Sequence, residues 1–381
     1  MAGCSSELPK ESQRTTNQGE MIGIESDNNT FAWLGIPFAE PPVGNLRWKA
    51  PVLPKAFDSR FEATQFADVC FQSGGLFGGG EDWSGSEDCL YLNVWTPAWS
   101  IEELKEKKVP VMVWIHGGGN STGGAATYNP SNIVFDNEVI VVTVQYRMSN
   151  LGWFRHPSLR QGDITLEDAS GSFGTLDNIM ALRWVKDNIS VFGGDVNNVT
   201  IYGESAGGHN VAALYASPLA KGLFHKAIVQ SGIVSHSDLD EAESYYPEDG
   251  VSGIQSSKEV LNRLLVNEEK ATTLQEARNI QDSMSLQESE DYLRSKTPAE
   301  LLTAYKEARP KKGGMTRVFN DGYVLGQKGI DESFTNQTMS RVPIILGTNR
   351  YESKLFNMRN PRFVRWGEGD GIIATAASWA G

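Results

Sequence analysis

One short stretch of this sequence is built for covalent chemistry: Gly203-Glu204-Ser205-Ala206-Gly207, a serine with a glycine two positions away on each side. It stands between NVTIYG (Asn198 to Gly203), which reads as a buried strand, and AGGHNVAALYA, which reads as a helix. A strand that turns at once into a helix needs small neighbours, and the turn pushes the serine hydroxyl out at the carboxyl end of a sheet. The helix that follows aims its free N–H groups at developing negative charge. Upstream, His116-Gly117-Gly118-Gly119 follows the apolar run VPVMVWI. Glycines there let the amides of Gly118 and Gly119 approach a substrate oxygen, and the amide of Ala206 makes a third donor to a tetrahedral intermediate. Losing one such donor typically costs ~3 kcal/mol of barrier. Alone, the glycine run is an ordinary turn. Followed by the serine turn, it reads as an oxyanion hole.

The elements that must position these groups are legible as alternating patterns. VPVMVWIH, EVIVVTVQY (Glu138 to Tyr146), NVTIYG, KAIVQSG (Lys226 to Gly232) and VPIILGTN (Val342 to Asn349) are nearly continuous apolar runs, as suits strands buried on both faces. Leu176, Ile179, Met180, Trp184 and Val185 recur at helical spacing, and Gly193-Gly194 ends that helix. Strands alternating with helices predict an α/β fold with a mostly parallel sheet and right-handed crossovers. Between Met21 and Trp95 the chain is strand-like and broken by turns, and 238–312 is polar, charged and helix-favouring, which predicts a helical insertion or cap. Residues 1–20 read as a disordered tail before one domain over 21–381.

Composition narrows the function. A chain of 381 residues buries a large core without help from a metal, and 40% hydrophobic with 21% charged residues is a globular balance. A net charge of -13 argues against nucleic acid as a partner. It serves solubility, or attracts cationic substrates. No run approaches the ~18 apolar residues of a transmembrane helix. The cysteines are Cys4, Cys70 and Cys89. Cys70 and Cys89 flank a glycine-rich loop and either stay reduced or close it, a bridge of that size being worth on the order of 3 kcal/mol.

The long stretches GIPFAEPPVGNLRW, SEDCLYLNVW, VWIHGGG, GTLDNIMALRWVKDNISVFGGDVNNVTIYGESAGG and VPIILGTNRYE resemble the type-B carboxylesterases, the family of cholinesterases and of bacterial and fungal esterases. The likeness runs from about Gly23 to Phe356. It implies an α/β-hydrolase sheet flanked by helices, with its site in a deep pocket. The implied chemistry is hydrolysis of small-molecule carboxylic esters through an acyl-serine, with no cofactor or metal. The resemblance makes Ser205 the nucleophile, Gly118, Gly119 and Ala206 the oxyanion hole, and Glu352 the acid of a triad, although Tyr351-Glu352-Ser353 departs from the family's usual Asp-Glu-Gly. As a lone residue Glu352 would be an ordinary surface carboxylate. Glu204 matches a buried second carboxylate, and Cys70 with Cys89 matches the family's first disulfide. Trp83 lies in that loop at a spacing unlike that of a choline-binding tryptophan, so cholinesterase activity is not expected.

The base is missing. A serine of this kind needs a histidine to take its proton, oriented by the acid. In the family's order the histidine follows the acid, but His116, His156, His209, His225 and His236 all precede Glu352. His116 belongs to the glycine loop, and His209, four residues along the helix from Ser205, is expected to point down the helix wall. The others lie in loops or at element ends. After Phe356 the likeness fades, so the resemblance implies that the C-terminal part of the domain, with its histidine, is not in this sequence. The expected activity is therefore low or lost. The competing reading is a non-catalytic binding or adhesion protein, which has no use for an intact serine and oxyanion loop. Ala2-Gly3-Cys4-Ser5-Ser6 resembles the end of a bacterial lipoprotein signal, which places the true start upstream, with export or a lipid anchor through Cys4. A start at Met1 implies a cytoplasmic protein instead.

Overall fold

The apolar runs assemble into a central sheet. The computed structural model describes residues 8–74, 82–233, 235–245, 256–308, 315–335, 339–352 and 354. The sheet's strands are β1 (Ile24–Ser26), β2 (Thr30–Pro37), β3 (Tyr91–Pro97), β4 (Val109–Ile115), β5 (Ile140–Val144), β6 (Gly194–Glu204), β7 (Lys226–Gln230) and β8 (Ile344–Gly347). Their spatial order is β8-β7-β6-β4-β5-β3-β2-β1. From β8 to β5 all neighbours are parallel, whereas β3, β2 and β1 add on antiparallel. The sheet is thus mostly parallel, as the alternation of elements predicts. The continuous apolar character of β5 follows from its place between β4 and β3, where all five of its residues are buried.

Both faces are covered. On one, α1 (Ser131–Asn137) packs Val134 against Leu34, Trp95 and Val141. On the other, α2 (Phe173–Asn188) and α3 (Ala206–Ala216) are buried along most of their length against Val113, Val142 and Ile201. After β7 come α4 (Ser257–Asn267), α5 (Leu274–Ser283), α6 (Leu286–Arg294) and α7 (Pro298–Ala308), in the region whose composition predicts helices. Each of α4, α5 and α6 begins at a serine or threonine whose side chain caps the third amide of the helix, which fixes the starts.

Two expectations are corrected. Residues 8–20 are not a disordered tail: Arg14–Thr16 pairs antiparallel with Gly19–Ile22. This segment is held by polar contacts that leave no apolar periodicity to read. Trp33 donates from Nε1 to the Ser12 carbonyl at 2.8 Å, Trp184 donates to Gln18 Oε1 at 2.8 Å, and the Arg14 guanidinium lies over the Trp33 ring. Residues 1–7, including Cys4, lie outside the described residues. The second correction concerns β8, whose apolar run reads as buried. Ile345 and Leu346 are each 64% exposed, because among the described residues no strand pairs with β8 beyond β7, and only Ile344 of the strand packs against the core.

Candidate active site

The chain turns sharply at Ser205, from the end of β6 into α3. Ser205 caps α3 with φ 55° and ψ -121°, a conformation that strains a side-chain-bearing residue. It is over-determined by its neighbours. Its amide donates to the Gln230 carbonyl at 2.8 Å, and its carbonyl accepts from the His209 amide at 2.9 Å. The glycines around it are required by contact rather than by torsion. A Cβ on Gly203 would lie 2.5 Å from the Gly207 carbonyl carbon, and one on Gly207 would lie 2.0 Å from the Ile115 oxygen. Gly207→Ala is therefore expected to push α3 off β4, costing roughly 1–3 kcal/mol of stability. The same change is expected to abolish labelling of Ser205 by a phosphonate probe. Retained labelling with an unchanged melting temperature would show that the turn tolerates a methyl group.

The glycine loop comes up against this turn. A Cβ on Gly117 would sit 2.7 Å from the Glu204 carbonyl oxygen and 3.3 Å from the Ser205 Cβ, so glycine is what lets the loop come this close to the turn. Gly118 and Gly119 adopt φ 105° and 66°, where glycine is favoured. Among the described residues none accepts a hydrogen bond from the amides of Gly118, Gly119 or Ala206. The loop is pinned by groups with no motif of their own. Gln72 clamps Gly123 at both backbone atoms, donating to its carbonyl and accepting from its amide, each at 2.8 Å. Two residues before Gln72, Cys70 is disulfide-bonded to Cys89. Residues 75–81 of the loop so closed lie outside the described residues. Trp83 stacks on Phe71, which gives it a packing role.

Glu352 follows β8, and its Oε1 accepts from Ser231 Oγ at 2.5 Å, the Asn349 amide at 2.9 Å and Thr348 Oγ1 at 3.4 Å. These bonds hold its carboxyl below the usual carboxylate range, with the Ser231 hydroxyl the largest cause. Ser231 sits just past β7 with φ 51°. Neither it nor Asn349 is singled out by the sequence, because the segment around Ser231 pairs with the far-off Gly347 only in the folded sheet. Glu204 departs from the buried carboxylate that the resemblance implies, since the residue is exposed at the carboxyl end of β6. Partial shielding of its carboxyl, then the negative charge of Glu352, holds it above the ordinary range, so the two acids sense each other.

Among the described residues no hydrogen bond joins any histidine side chain to Ser205 or Glu352. The buried His116 turns Nδ1 to the Gly117 carbonyl at 2.8 Å and stacks on Tyr146, and the buried His209 turns Nδ1 to the Ile233 carbonyl. His156 engages Ser158, His225 accepts from the Val199 amide, and His236 lies 3.8 Å from Asp238. Among the described residues no cluster of three His, Cys, Asp or Glu side chains offers a metal site, and no helix is long and apolar enough to cross a membrane. Asn120, which begins an N-x-T pattern, is fully buried with its side-chain amide donating to the Thr316 carbonyl, so it is closed to a glycan.

The chain has many relatives. The sequence matches the carboxylesterase family over residues 10–365. It is 33% identical over 351 residues to a fumonisin B1 esterase of Sphingopyxis macrogoltabida, covering 91% of this chain and 57% of that protein. It is 37% identical over 352 residues to carboxylesterase 1D of Rattus norvegicus, covering 88% and 58%. Among solved structures, a PNB esterase superposes with a TM-score of 0.72 at 32% identity, covering 91% of this chain and 65% of that one. A Geobacillus stearothermophilus carboxylesterase gives 0.73 at 32%, covering 94% and 67%. The chain thus spans little more than half the length of these curated relatives, 57% and 58%. With the strained serine turn, the facing glycine loop and a family match running through nearly the whole sequence, the chain belongs to the carboxylesterase family.

Proposed function

We propose that this protein is a carboxylic ester hydrolase in which Ser205 is the nucleophile. The observation that carries the reading is the approach of the Gly117–Gly119 loop to the Ser205 turn, with the amides of Gly118, Gly119 and Ala206 unclaimed by described residues. In this reading Ser205 Oγ attacks the ester carbonyl carbon and the carbonyl electrons move onto oxygen. The three amides stabilise that oxyanion in a fixed arrangement that needs no reorganisation during reaction. Collapse of the tetrahedral species breaks the carbon–alkoxide bond; the departing oxygen takes up the proton that Ser205 Oγ gave up, so the alcohol is released and an acyl-serine is left, which water hydrolyses to the carboxylic acid and free Ser205. Glu352 is the acid that would orient a general base, and Ser231 and Asn349 hold it in place.

The base itself is a histidine in the Ser-His-acid logic, and none of the five histidines here serves. The 381-residue polypeptide alone is therefore expected to turn over para-nitrophenyl butyrate only weakly. A site without one triad member retains at most ~10³–10⁴-fold over water. The assay on purified protein, with Ser205→Ala as the blank, checks this. Ser205-dependent turnover near the ~10 s⁻¹ typical of enzymes would show that a base acts from somewhere in this chain.

A further inference from the structure

A loop of three glycines does not hold its own shape, because glycine loses more conformational freedom on ordering than any other residue. Something must fix the amides of Gly118 and Gly119 relative to α3, which carries Ser205 at its cap and the third amide at Ala206. We propose that a buried pair of side-chain amides, Asn120 and Asn210, is the positioning device that sets the oxyanion loop against the nucleophile helix. The proposal rests on the reading of Ser205 as nucleophile and adds two residues to which neither the motifs nor the resemblance assigns a role in positioning.

Asn120 directly follows Gly119 and holds φ 54°, and Asn210 lies on α3, five residues after Ser205. They are 0% and 2% exposed. Asn210 Nδ2 donates to Asn120 Oδ1 at 2.9 Å, so one bond joins the loop with two of the amides to the helix with the third. Every other polar group of Asn120 that points to a partner points to a different element. Its Nδ2 donates to the Thr316 carbonyl at 2.9 Å, and its own carbonyl accepts from the Ser149 amide at 2.7 Å. Tyr146, also fully buried, donates to the His116 carbonyl at 2.7 Å at the foot of the same loop, with its oxygen 3.4 Å from Asn120 Oδ1. Away from water these bonds are not exchanged for solvent bonds, so the loop has one arrangement rather than many. Without the Asn210 donor, Asn120 Oδ1 is left with only the long contact to Tyr146. The glycines can then relax by the fraction of an ångström that matters for oxyanion contacts.

The test uses the full chain and its Asn120→Ala, Asn210→Leu and doubly substituted variants, with Ser205→Ala as the blank. Each is incubated with a fluorophosphonate, and labelling is followed by intact-mass spectrometry to separate kinact from KI. Each single variant is expected to lower kinact about 10-fold with KI changed less than about twofold. The double variant is expected to be no slower than the slower single one, as for residues acting as a unit. Asn210→Asp keeps the shape but presents an acceptor in place of the donor. It is expected to be equally slow near pH ~8 and to recover relative to wild type near pH ~6, where a buried carboxyl takes up its proton and donates again. Should Asn210→Leu fail to melt cooperatively, the Asp series carries the test. Unchanged kinact in the single variants, even with lowered melting temperatures, overturns the positioning role, as do multiplicative losses in the double variant. Wild type labelled no faster than Ser205→Ala overturns the nucleophile reading itself, and the pair with it.

Discussion

Acidification from pH 7 to pH 4 is expected to unfold this protein, chiefly through three histidines buried in the neutral state. His116, His156 and His209 have their pKa lowered to about 4, in each case by burial first. Lys258 adds to the effect at His156, and Arg317 and His236 at His209. The sign follows from proton counting. An unfolded histidine titrates near ~6.5, so between there and 4 the unfolded chain binds more protons than the folded one, and stability falls as pH falls. The stability is fully present above ~6.5 and drains away across that window, by on the order of 3 kcal/mol per histidine at pH 4. Three such groups rival the ~5–15 kcal/mol that holds a typical domain together. Burial of Asp321 and the shielding of Glu204 work the other way, since their raised pKa makes protonation favour the fold, but they are two groups against three. Urea melts at pH 7, 5.5 and 4.5 check this, with His156→Gln as the comparison. A wild-type curve that stays flat down to pH 4.5, or one that His156→Gln leaves unaltered, contradicts the assignment.

Asp177→Ala is expected to cost ~3–5 kcal/mol, the largest effect of any single substitution argued from this structure. Asp177, on α2, is completely buried and takes three bonds from one residue: the Arg147 amide at 3.0 Å, Nε at 2.9 Å and Nη2 at 2.7 Å. Arg147 stands just past β5, so the pair rivets the carboxyl end of the sheet to the helix behind it. Removing the carboxylate leaves a guanidinium buried without its counter-charge, and that desolvation is what destabilises. Two residues on, Ser149 donates to the Asn120 carbonyl, so the damage extends to the glycine loop that faces Ser205. The measurement is chemical denaturation of Asp177→Ala beside the double variant Arg147→Met/Asp177→Leu. The double variant is expected to recover most of the loss, because it removes both charges and refills the space. A cost below ~1 kcal/mol for Asp177→Ala would show that water reaches Arg147.

The legible parts of this protein are those set by short-range rules. The span Ile140–Val144 lies inside the apolar run EVIVVTVQY, and Phe173–Asn188 contains the helical spacing of Leu176 to Val185. The polar N-terminal segment was opaque because Ser12, Arg14 and Gln18 are held by Trp33 and Trp184, partners that no local pattern reveals. The apolar run in β8 suggests burial, yet Ile345 and Leu346 are exposed, since an amino-acid type reports what a strand tolerates rather than what lies beside it.

Read alone, the residues point to a kind of chemistry. A serine between glycines at a strand–helix boundary, behind a run of glycine amides, has its meaning in steric and electronic rules that act over a few bonds. Which groups hold that serine, loop and acid in mutual register was decided only by the tertiary structure. Gln72 on Gly123, Ser231 on Glu352 and Asn210 on Asn120 are partners far apart in the chain. The physical reason is that hydrogen bonds between distant side chains exist only once the sheet has brought their elements together, and the sequence between them carries no record of that distance.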